Sequence, residues 1–166
     1  MLVGSQSSTN NSTIANQSSE LAYDCRVSGR LMTKTDAGQA PAIGGVVFAL
    51  PRDRFPSTPL PSAGVTPNDF QPLDNQTIAA IHDLGGAVSR VDDNGQFDLL
   101  VDGGRGYLLL GVATSTRGGQ AVSGSEMQLL NRFFVPAQKL TAGSQTVWKK
   151  FSADEDYLDL ATLLVQ

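Results

Sequence analysis

Six of the chain's 8 prolines, Pro51, Pro56, Pro59, Pro61, Pro67 and Pro72, fall within residues 51–76. Proline has no backbone N–H and fixes φ near about −65°, so neither a helix nor a central strand can run through this stretch. A segment that long without regular structure is uncommon inside a compact domain unless it binds something or packs as an excursion. The chain must therefore build its core from what lies on either side and carry residues 51–86 as an insertion.

The flanks read mainly as short β segments. Residues 45–50 are β-branched and aromatic, bounded by Gly44, Gly45 and Pro51, which fits a buried strand. Residues 107–114 are almost unbroken apolar after a glycine-rich turn at 102–106, as in a strand covered on both faces. Residues 23–33 mix apolar and polar positions, with Tyr23, Cys25 and Val27 on one side; 34–41 read as a turn, and 146–151 as a strand. Two short helices are expected. One has Asp74 as its N-cap, Ile78 and Ile81 on one face and Gly85 as a left-handed stop. The other spans 125–134, where Met127, Leu130 and Phe134 recur at helical spacing before Pro136.

Two places need a choice of register. Around Asn94-Gly95, a three-residue loop of Asp93, Asn94 and Gly95 sets Val91 opposite Phe97 and Arg90 opposite Asp98. That buries one pair, matches charges on the other and gives Gly95 the left-handed position. The tail after Ser152 reads two ways. Ser152 and Glu155 fit a capping box, with Tyr157, Leu160, Ala161 and Leu164 on one helical face; Leu158, Leu160 and Thr162 alternate as a strand would. An all-β fold favours the strand.

The order of these pieces resembles the carboxypeptidase regulatory-like domain of the transthyretin-like β-sandwich group. Val27-Ser-Gly29-Arg-Leu31 is similar to its opening V-x-G-x-V, and residues 41–48 to its G-A-x-V-x-V segment. Val91-Asp92-Asp-Asn-Gly95-Gln-Phe97-Asp-Leu99 is similar to T-D-x-x-G-x-F-x-L, and Tyr107 opens the next strand. The likeness spans residues 25–114, about half the chain. It implies an all-β, seven-stranded Greek-key β-sandwich with one or two short helices and a long proline-rich loop, in a non-catalytic accessory role without catalytic residues.

Composition narrows the function classes. Thirteen of residues 1–20 are Ser, Thr, Asn or Gln, which reads as a disordered polar linker ahead of one sandwich domain at 21–166. The net charge is −4, so a nucleic-acid partner is not expected. No apolar run approaches the ~20 residues of a membrane span, and the start has no basic or apolar targeting pattern. Cys25 is alone, so no internal disulfide forms; it is expected as a small buried hydrophobe. No metal or cofactor is expected: the oxygens of Asp92, Asn94, Gln96 and Asp98 alternate as in a calcium loop, but Phe97 and Gly103 occupy places that need Gly and Glu.

Catalysis finds little support. His82 sits beside Asp83 with no nucleophile elbow in the chain, and Asp154, Glu155, Asp156 and Asp159 read as a solvated charge run. The candidate ligand-binding residues are aromatic: Phe55 and Phe70 in the proline-rich loop, taken as the working surface, and Trp148 beside Lys149 and Lys150. The expectation is a non-enzymatic module at the cell surface or in the periplasm with a protein or polysaccharide partner. A carbohydrate-binding module is the alternative and a small hydrolase the more remote one.

Overall fold

The computed structural model describes residues 21–67, 72–114 and 121–166; the expected linker at 1–20 lies outside them. The first sheet is built around β1 (Cys25–Thr35). Strand β10 (Tyr157–Val165) runs parallel along one side of it, and β6 (Gln96–Val101) antiparallel along the other. The far end of β1 pairs with β2 (Gly38–Pro41), so the stretch read as a turn is a tight hairpin instead. Gly38, at φ +124°, supplies the reversal. The second sheet has the order β5 (Ala87–Arg90), β3 (Val46–Pro51), β7 (Gly106–Thr114), β9 (Ser144–Ser152). A two-stranded parallel pair, β4 (Leu60–Pro61) and β8 (Phe134–Val135), stands apart. The described residues thus form ten strands, eight of them in the two main sheets, against the seven expected.

Burial follows the sequence pattern. Strand β6 alternates exposed and buried without a fault, so one face meets the core and one meets water. All six residues of β3 are buried, as are residues 107–113 of β7, so both faces of these strands are covered. Between the sheets lie Cys25, Val27, Leu31, Phe97, Leu99, Val47, Leu109 and Phe151. A second core forms on the far face of the second sheet, where Phe48, Leu110 and Val112 meet Val65, Ile81 of α1 (Asn75–His82), Leu130 and Phe133 of α2 (Gly124–Phe133) and Leu140 of α3 (Gln138–Thr141). Each such side chain contributes about 1.5–3 kcal/mol by leaving water. The proline-rich excursion is therefore a cover: Val65 is fully buried, and Phe55, Leu60 and Leu73 pack on the same cluster.

Local chemistry fixes the helices. Asp74 caps α1, its carboxylate accepting from the Thr77 backbone N–H at 3.0 Å and the Thr77 hydroxyl at 2.7 Å. Gly85 takes φ +93° just beyond it. Ser123 and Glu126 form the capping box of α2; residues 152–155, which also match that pattern, precede a strand, and the tail is β10.

Two registers differ from expectation. The three-residue loop forms: Asp92 N–H donates to the Gln96 carbonyl at 3.0 Å, and Gly95 sits at φ +80°. Beyond it, however, the strands part into different sheets. Arg90 becomes the ladder partner of Val46 and Asp98 that of Ser28, so the loop is a corner of the sandwich rather than the end of a hairpin. In β10 the alternation breaks. Ser28 pairs with Asp159 and Arg30 with Thr162, one residue more on β10 than on β1. Ala161 is the bulge, at φ +58°, and it flips the parity: Leu158 and Leu160 face the core before it, Leu163 and Val165 after it, and Thr162 is exposed. Tyr23, placed by sequence in the first strand, precedes it at φ +49° and stacks on His82 with ring centroids 3.9 Å apart.

Candidate functional site

Helices and the excursion cover the outer face of the second sheet. Among the described residues no such cover lies on the first sheet, and its solvent face carries a groove of about 660 Å³. The register builds that face in rows across β6, β1 and β10. In the first row Arg26 lies between Leu100 and Tyr157. The second places Ser28 between Asp98 and Asp159. In the third, Arg30 lies between Gln96 and Thr162, which reaches the row only because Ala161 shifts the register.

Neighbouring side chains hold one another in place. The Arg26 guanidinium forks onto the Asp98 carboxylate, with Nε at 2.9 and 3.0 Å and Nη2 at 2.5 Å. This pair is solvent-exposed and adds little to stability. Its consequence is chemical: the hydrogen bonds from Arg26 hold the Asp98 carboxyl below the usual carboxylate range. The Tyr157 hydroxyl shares a 2.6 Å hydrogen bond with Ser28 Oγ, which ties the ring down over the sheet while the residue stays 52% exposed. Asp159 Oδ1 accepts from the Ala161 N–H at 2.9 Å and so stabilises the bulge from within. The result is a half-exposed aromatic ring among planar donors and acceptors whose positions are set beforehand.

The residues singled out by sequence lie elsewhere. Phe55 is half-buried, with the Arg132 guanidinium 3.4 Å from its ring centroid and Phe133 at 5.3 Å. Trp148 is half-buried on β9 opposite Leu110, its Nε1 donating to Thr146 Oγ1 at 3.2 Å. It borders a smaller cleft of about 350 Å³ with Leu108, Leu129 and Lys150. Both rings pack on the second core; Phe70 lies outside the described residues. His82 ends α1, exposed and stacked on Tyr23, away from the groove. The acids split, with Asp159 lining the groove and Asp154, Glu155 and Asp156 preceding β10. Asp92 Oδ1 is occupied by the N–H groups of Asn94 and Gln96 at 2.9 and 2.8 Å, as a turn requires. No three His, Cys, Asp or Glu side chains among the described residues are grouped to hold a metal. Cys25 is buried and free.

Sequence reasoning missed Tyr157. The signal was present in the alternation of Arg26, Ser28 and Arg30, matched by Gln96, Asp98 and Leu100 on β6. What the sequence lacked was the pairing that sets these strands side by side.

No protein-family model matches the chain, and neither does any curated protein. A crystal structure from Pseudomonas aeruginosa, described as that of a candidate carbohydrate binding protein, is similar over 86% of this chain and 87% of that one, at 18% identity and a TM-score of 0.41. No helix among the described residues is long and apolar enough to cross a membrane.

Proposed function

We propose that the chain is a non-catalytic binding module, exported to the cell surface or periplasm, whose ligand face is the open face of the first sheet and whose ligand is a saccharide. In this reading the sandwich is a Greek-key, transthyretin-like one akin to the carboxypeptidase regulatory-like domain, and residues 51–86 are its own elaboration. The observation that carries the proposal is Tyr157, whose ring is half exposed and tied down beside the Arg26–Asp98 fork. Sugar rings are recognised by apolar packing on an aromatic face together with planar side chains that pair with hydroxyl groups. The electrostatics speak against Asp98 as a catalytic acid. A glycosidase acid needs a raised pKa, whereas Asp98 is held low by Arg26.

Isothermal titration of the full chain against a glycan panel and a peptide panel tests this. A saccharide should bind, without being cleaved, and Tyr157→Ala should weaken it at least about tenfold, or about 1.4 kcal/mol. Binding that survives Tyr157→Ala, or affinity for peptides alone, would overturn the assignment.

A further inference from the structure

The charges around the groove say more about its ligand. Among the described lining residues, Arg26, Arg30 and Arg90 are balanced by Asp92, Asp98 and Asp159. Each carboxylate is already engaged within the fold, since Asp98 takes the Arg26 fork, Asp92 closes the corner turn, and Asp159 closes the bulge. To make room for an anion each would have to give up those contacts. We infer, on the reading of this face as the ligand face, that it selects an uncharged saccharide chain and discriminates against polyanionic ones such as oligouronates.

Three physical points support that choice. A neutral polyhydroxylated ring offers donors and acceptors together, so the guanidinium groups of the outer rows and the carboxylates of the middle row can both be satisfied. A polyanion would meet like charge at Asp98 and Asp159 in the middle row, on a chain whose net charge of −4 already repels it at a distance. Tyr157 supplies apolar contact that needs no charge on the ligand. Because the polar groups are held before the ligand arrives, little ordering cost falls on binding.

The test is a titration of the full chain with neutral oligosaccharides (gluco-, manno- and N-acetylgluco-oligomers) and with oligouronates, at about 50 mM and about 500 mM salt. The expected result is a neutral binder whose Kd changes less than about twofold with salt, weakened about tenfold by Tyr157→Ala and by Asp98→Ala. Circular dichroism and urea unfolding establish that both variants fold, with Asp98→Asn as the milder second variant. Preferential oligouronate binding that fades with salt and still depends on Tyr157 would overturn the neutral assignment and leave the face standing. Glycan binding indifferent to Tyr157→Ala, or no glycan binding at all, would overturn both.

Discussion

Tyr107 and Asp102 join parts of the chain that are distant in sequence. The buried Tyr107 hydroxyl lies 2.8 Å from the carbonyl oxygens of both Gly85 and Asp102, and burial holds its pKa well above the usual tyrosine value. Tyr107→Phe removes the hydroxyl hydrogen that lies between these two carbonyls and should cost about 1–3 kcal/mol in urea unfolding. The Asp102 carboxylate receives the Ala22 N–H at 2.9 Å and Arg105 Nε at 2.5 Å. Burial pushes its pKa up, but the Ala22 and Arg105 hydrogen bonds outweigh it, and the net direction is down. A carboxyl lowered on folding contributes stability that is present above its unfolded pKa, about 3.9, and is lost as pH falls through the folded value. Asp102→Asn should therefore lower stability at neutral pH and flatten its fall below about pH 4, as read from urea midpoints across that range. Asp74, Gly85 and Gly95 were legible in the sequence because the cap and turns they serve are local: Asp74 accepts from Thr77, and the Gly85 and Gly95 N–H groups donate to the His82 and Asp92 carbonyls. Asp102 was not, since its first hydrogen-bond donor is 80 residues distant.

Strand β10 shows what the period-2 pattern can and cannot reveal. Leu158 and Leu160 announce a strand, yet the same rule puts Thr162 inside, and the structure puts it outside. A bulge inserts one residue and reverses the parity; Ala161 gives no compositional warning, since a left-handed φ normally favours glycine. Ala161→Gly should accordingly stabilise the protein, by up to about 1 kcal/mol in urea unfolding, with the ladder to β1 retained. The corner at residues 92–96 teaches the same lesson. Local turn chemistry fixed the loop length correctly, while the partners of β5 and β6 were decided by the sheets each strand joins.

At the scale of the molecule, three layers explain why one sheet face is covered and the other is open. Continuous apolar runs in β3 and β7 demanded cover on both faces, and α1, α2, α3 and the excursion provide it. Phe133→Ala should cost about 3–5 kcal/mol in urea unfolding and free Phe55 with it, raising proteolysis within residues 51–67. The proline-rich stretch was legible as an excursion but not as a cover, because only tertiary packing shows which sheet it lies on. The resemblance over residues 25–114 stopped short of β9 and β10, so the face that β10 completes with Tyr157 stayed out of view. The most direct test of that face is amide chemical-shift mapping of the full chain during titration with a bound oligosaccharide. The shifts should concentrate on Arg26, Ser28, Arg30, Asp98, Tyr157 and Asp159 in β1, β6 and β10. Shifts gathered instead around Trp148, Leu129 and Lys150, with the first sheet silent, would contradict the account.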